Sequence, residues 1–173
     1  MKKVLINSIL IFILGFLLHS LYNYLPCFIT LILLPVNESI FEHLKMIYTS
    51  YILLLVLKYL FFNKRFKKED IFLYSVTGII NIIIFLIIYL PINYIFKENL
   101  LITLIIYFIS IILSNTILIK LEEKKAKEKT IKISLIGIFI VYLIFTIFTL
   151  FPPKINFFYD TVNKKYGTYN FYD

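Results

Sequence analysis

Residues 100–119 read LLITLIIYFISIILSNTILI, twenty positions without one charged side chain. At about 1.5 Å rise per residue, a helix of that length covers roughly 30 Å, the thickness of a bilayer's hydrocarbon core. A charged stretch follows at once, with six lysines between Lys120 and Lys132 interrupted by Glu122, Glu123 and Glu128. Outward from this segment the pattern recurs. Long apolar runs occupy 4–24, 40–62, 71–90 and 133–151. The expected fold is all-α, a polytopic transmembrane bundle of about five spans over 1–151, with an extracytoplasmic tail over 152–173.

Composition agrees. Of 173 residues 61% are hydrophobic and 16% charged, whereas a soluble domain of this length needs far more polar surface. The first run follows Lys2 and Lys3, as a secretory signal does. Its apolar core is longer, however, and it ends in the bulky Ser20-Leu21-Tyr22-Asn23-Tyr24, so an uncleaved first span is expected. Pro26 and Pro35 enclose a stretch too short to cross, which makes 26–35 a re-entrant or interfacial piece. Pro91 is read as opening the connection after the third span. The lone Cys27 excludes an intramolecular disulfide and a multi-thiolate cage, and is expected to be a small buried apolar residue.

The net charge of +8 does not indicate nucleic acid, because the basic residues lie between apolar runs. Lys2, Lys3, the 63–70 loop and the 120–132 loop hold twelve of the 18 basic residues and share one side in a five-span chain. Lys58 can snorkel to that side. The positive-inside rule then places the N-terminus in the cytoplasm and the C-terminus outside, in the cell membrane. The three tail lysines, Lys154, Lys164 and Lys165, weigh against that orientation.

The polar residues inside these runs are where chemistry can reside. His19 lies about one turn before the outer end of the first span, and His43 under two turns after Asn37 at the start of the second. Both therefore sit roughly 7–9 Å below the outer boundary. Asn23 is four residues from His19, and Glu42 four from Glu38 and adjacent to His43, so a cluster of His19, Asn23, Asn37, Glu38, Glu42 and His43 is expected. Two imidazoles and one or two carboxylates, from His19, His43, Glu38 and Glu42, can ligate a divalent metal or handle a proton. A purely structural account is also open. Asn37 or Ser39 can cap the second helix, Glu38 and Glu42 can accept its free amides, and Glu42 can pair with Lys45. Asn81 and Asn115 lie within the third and fourth spans, where interhelical hydrogen bonding is expected, and Thr77 and Gly78 allow close packing. In the tail, Asp160-Thr161 and Asn163 to Gly167 are turn chemistry. The expected flap over the outer helix ends would make Asp160 either a turn residue or a further acid above the histidines.

Three stretches stand out together: Gly15-x-x-x-His19-x-x-Tyr22; Val36-Asn37-Glu38-Ser39-x-x-Glu42-His43-x-Lys45; and Pro152-Pro153 through Phe158-x-Asp160 to Tyr166-Gly167. In this order they resemble a family of small bacterial integral membrane proteins classed as a domain of unknown function. The resemblance covers nearly the whole chain and implies membrane location and a shared motif, but no activity. The chain has Phe41 where members tend to have tryptophan, and a more apolar segment between Tyr22 and Val36.

No Gly-x-Ser-x-Gly elbow, P-loop or dinucleotide fingerprint is present. The sequence leads to an integral membrane protein with a polar His/Glu cluster at its outer face, in a structural or binding role. Two alternatives stand beside it: a metal-dependent enzyme, such as a hydrolase of lipid-linked groups, and a small transporter or transporter subunit relying on Asn81 or Glu38. The expected partners are membrane lipids and either a second copy of the chain or another membrane protein.

Overall fold

A computed structural model describes residues 2–61, 66–96, 99–122 and 128–168. Of the expected loops, Lys64, Arg65, Lys97, Glu98 and residues 123–127 lie outside the described residues, as do 169–173. Among the described residues five helices are long and apolar enough to cross a membrane. They are α1 (Lys2–His19) with its continuation α2 (Leu21–Tyr24), α4 (Ile40–Phe61), α5 (Glu69–Phe96), α6 (Leu100–Glu122) and α7 (Glu128–Leu150). A short α3 (Phe28–Leu33) lies between the first two spans. The tail forms a 3₁₀ turn (Asn156–Phe158) and a two-residue antiparallel hairpin, β1 (Tyr159–Asp160) with β2 (Lys165–Tyr166).

The distribution of side chains is the reverse of a soluble protein's. Lys45, Glu42, Asn81, Asn115 and Asp160 are buried, while Phe16, Ile87, Leu101 and Phe139 stand exposed on the outer helix faces. Such a continuous apolar exterior needs lipid around it. The chain is an all-α bundle of a multi-pass membrane protein.

Without a hydrophobic drive between helices in lipid, small residues and hydroxyl pairs join them. Asn115 Nδ2 donates to Ser8 Oγ at 2.9 Å, linking α6 to α1. Tyr51 and Ser114 share a hydrogen bond of 2.6 Å between α4 and α6, and Tyr142 donates to Thr49 at 3.1 Å between α7 and α4. On α5, a Cβ at Gly78 would lie 2.9 Å from the Tyr48 ring, so glycine there permits the close approach of α4. Asn81 is buried on α5, but neither side-chain atom has a hydrogen-bond partner among the described residues. The expected interhelical bond is thus made by Asn115 and not by Asn81.

Two expected boundaries move. The first span is interrupted at Ser20, where Asn23 N donates to Ser20 O three residues back, and the helix restarts as α2. The third span does not stop at Pro91, because α5 runs through it to Phe96. Proline there removes a single amide donor near the helix end, a loss that membrane helices tolerate.

The segment between α1 and α4 dips beside α4 instead of lying across its end. Its last helical carbonyls lack partners of their own, as at any helix C-terminus. Lys45 Nζ donates to Leu31 O at 2.9 Å and Thr49 Oγ1 to Leu33 O at 2.7 Å. Thr49 lies about 13 Å along α4 from its first residue. Cys27 is exposed and not buried, because it occupies the N-cap of α3 on the side away from the bundle, with its amide donating to Thr30 Oγ1 at 2.9 Å.

A candidate metal centre at one end of the bundle

Three elements meet where α1 ends and α4 begins. His19 is the last residue of α1, His43 lies in the first turns of α4, and Glu38 precedes that helix. Ser39 is the cap that starts α4: its hydroxyl accepts from Glu42 N at 3.3 Å and its carbonyl from His43 N at 3.2 Å. Asn37 has a different task. Its carbonyl oxygen accepts from Ser39 N at 2.9 Å, and its amide donates to Gly167 O at 2.9 Å, tying the tail down. Gly167 adopts a φ of 72°, a conformation that favours glycine, against the backbone of Thr149 and the ring of Pro152.

His19 Nε2 and His43 Nε2 lie 3.2 Å apart, and Glu38 Oε2 is 3.3 Å from the first and 3.6 Å from the second. The other nitrogen of His43, Nδ1, sits 2.8 Å from Ser39 O, an acceptor only. Nδ1 must therefore carry the proton, which leaves the Nε2 lone pair directed at its two neighbours. A carbonyl holding the far nitrogen of a histidine is also the usual support for a metal ligand. In a tetrahedral site with metal–ligand distances near 2.0–2.1 Å, ligand atoms stand about 3.3 Å apart. The observed triangle has that size. Glu38 keeps its carboxyl below its ordinary 4.5, chiefly through the hydrogen bond from His19 and against the upward push of burial.

The tail holds Glu38 in place. Glu38 N donates to Asp160 Oδ2 at 3.2 Å. Asp160 also accepts from Val162 N and Asn163 N, both at 2.8 Å, and from Asn163 Nδ2 at 3.0 Å. Asp160 is thus a turn residue that positions the segment carrying Glu38, and it is fully buried in doing so. Phe158 continues the docking by packing on Phe41 with ring centroids 4.7 Å apart.

Glu42 does not join the histidines. Its carboxylate pairs with Lys45 at 2.7 Å and accepts from Val36 N at 3.1 Å and Thr149 Oγ1 at 2.5 Å. Lys45 divides its protons between Glu42 and Leu31 O. Both residues are sealed inside the protein. Asn23 is also apart, exposed on α2, and Asn81 and Asn115 lie deeper in the bundle. Of the expected cluster, the structure brings together His19, His43 and Glu38.

Two cavities share the wall at His43. One, of about 120 Å³, is lined by both histidines, Phe12, Phe16, Leu104 and Tyr107 among others. The second, of about 220 Å³, is more polar and is bounded by Glu38, His43, Asn99, Thr103 and Thr161. Gly15 is explained here, because a Cβ on it would collide with the Tyr107 hydroxyl. Sequence reasoning missed Asn99, Thr103 and Tyr107. Asn99 left a signal, since it stands just before an apolar run and caps α6, with Ile102 N donating to its Oδ1 at 3.2 Å. Tyr107 left none, being one more aromatic in an apolar helix.

Over residues 1–168 the chain matches a family described as "Family of unknown function (DUF6512)", and it belongs to that family. No curated protein and no solved structure matches it.

Proposed function

We propose that this member of the DUF6512 family is a membrane metal-binding protein, in which His19, His43 and Glu38 hold a divalent transition-metal ion. The carrying observation is the convergence of two imidazole nitrogens and one carboxylate oxygen within 3.2–3.6 Å of one another. Two nitrogens and one oxygen at tetrahedral spacing suit zinc best.

Three protein ligands leave a fourth position, as in catalytic zinc sites and unlike closed structural ones. Here that position adjoins two cavities, which supports a site that acts on a bound molecule. An ion so placed polarises a carbonyl or phosphoryl oxygen and lowers the pKa of bound water, the chemistry of a hydrolase. Of the two residues on which the transporter reading relies, Asn81 lines neither cavity, and Glu38, which bounds the second, is one of the three ligands proposed here. The basic residues Lys2, Lys3, Lys58, Lys67 and Lys68 belong to the opposite end of the bundle, so the positive-inside rule puts the metal centre on the extracytoplasmic side of the cell membrane.

Elemental analysis of the purified protein tests the reading. Wild type incubated with zinc and then desalted should retain about one ion per chain, and His43→Gln should retain none. Zinc-free wild type after that treatment overturns the proposal.

A further inference from the structure

We infer, on the strength of that metal reading, that the fourth position of the site takes the head-group oxygen of a lipid whose acyl chain lies in the apolar cavity. The ligand class is a long-chain amphiphile with an oxyanionic head.

The cavity between α1, α4 and α6 is walled by Phe12, Phe16, Met46, Ile47 and Leu104 and ends at the two histidines. Its volume of about 120 Å³ corresponds to on the order of ten water-sized groups, enough for a length of acyl chain and not for a whole lipid. Two of its lining residues, Phe16 and Leu100, are 66% and 76% exposed. Phe16 lies on the outer face of α1 and Leu100 at the start of α6, so at Phe16 the cavity opens towards the bilayer and a chain can enter without crossing water. The second cavity, the more polar of the two, lies under the tail, and the Asn99 side chain stands in its wall, where its amide can donate to a head. Thr103 and Leu100 line both cavities with His43, so the metal position lies on the border between chain and head.

Charge selects the head. A divalent cation held by two neutral imidazoles and one carboxylate keeps one positive charge at the fourth position. That charge favours an anionic oxygen, a carboxylate or a phosphate. A small soluble anion would satisfy the charge but leave the apolar cavity without a use.

The test uses zinc-loaded protein in phosphatidylcholine nanodiscs, with dodecanoate carrying a photoreactive diazirine near its chain end as the probe. Labelling should concentrate on the cavity stretches of α1 and α6. Dodecanoate and dodecyl phosphate should compete at least tenfold better than acetate or inorganic phosphate. Leu104→Trp, which fills the cavity, should reduce labelling at least tenfold with zinc content unchanged, and the milder Leu104→Phe should reduce it less. Stripping zinc with a chelator should also reduce it. Labelling spread evenly over the lipid-facing helices overturns the inference. So does labelling that survives both filling variants or is indifferent to zinc, or equal competition by acetate and phosphate. Zinc is measured in every sample, so a zinc-loaded protein without cavity labelling sinks this inference alone, whereas a wild type that holds no zinc sinks the metal reading itself.

Discussion

Two acid–base clusters sit near the same helix start, each with one glutamate beside basic side chains. In one, Glu42 and Lys45 are sealed in and neutralise each other, with further hydrogen bonds from Thr149 of α7 and to and from the dipping segment at Leu31 and Val36. In the other, His19, His43 and Glu38 are 22–37% exposed, adjoin two cavities, and bring two ring nitrogens and a carboxylate oxygen within 3.2–3.6 Å of one another. The difference lies in how acceptors are used. Both Glu42 oxygens are already engaged by protein donors, so they have nothing left to offer a ligand. Ser39 holds His43 Nδ1 and Asp160 holds the Glu38 backbone amide, while the facing ring nitrogens and Glu38 Oε2 contact one another. Burial of charge alone does not separate the two clusters; the protein donors that already engage both Glu42 oxygens do.

The comparison can be broken first at the sealed pair. Lys45→Met leaves the Glu42 carboxylate buried without its counter-ion and should cost about 3–5 kcal/mol in reversible unfolding in detergent. The double variant Glu42→Leu/Lys45→Met should recover most of that, with metal content unchanged in both. Loss of metal in the double variant would erase the distinction between the clusters. Next, His43→Gln should lower zinc affinity by at least about a hundredfold, roughly 2.7 kcal/mol, because one of three ligands is gone. Its unfolding midpoint without metal should stay near wild type, which differential scanning with chelator present can check.

A smaller effect is expected at the helix contact beneath the site. Gly15→Ala drives a methyl into the Tyr107 hydroxyl and should cost about 1–3 kcal/mol of stability. Smaller again, Asp160→Asn loosens the hold on Glu38 and should weaken zinc binding about tenfold, the low end for an outer partner. The smallest is a pH effect in the metal-free protein. Glu38 titrates below its ordinary 4.5, so its contribution to stability is complete above that pH and is lost as pH falls through the lowered value. Glu38→Gln should flatten that part of the stability profile. An unchanged acid limb would mean that the Glu38–His19 contact adds nothing in solution.

Much of the architecture was legible because a bilayer imposes a length. Twenty uncharged residues in 100–119 have few other uses, and the matching depth of His19 and His43 followed from counting residues from the span ends. Spacing failed where the chain leaves the helix. Glu38 and Glu42 are four apart, which suggested one face, but Glu38 lies before α4 begins and its side chain obeys no helical periodicity. Asn23 was placed with His19 by the same rule, and the break at Ser20 separated them. Pro91 looked like a stop because proline usually is one, yet a membrane helix near its end tolerates the missing bond.

Hydropathy and residue count by themselves determined that this chain is a helical membrane protein, where its apolar runs lie, and that two histidines share a level. Those properties depend on the solvent, and each segment meets the bilayer on its own terms. Which carboxylate faces the histidines and which neutralises a lysine was decided only by the tertiary structure. That choice depends on the dip of 26–35 beside α4, which brings Val36 N to Glu42, and on the tail reaching back across more than a hundred residues to seat Glu38 against Asp160. Contacts so distant in sequence leave no period to read.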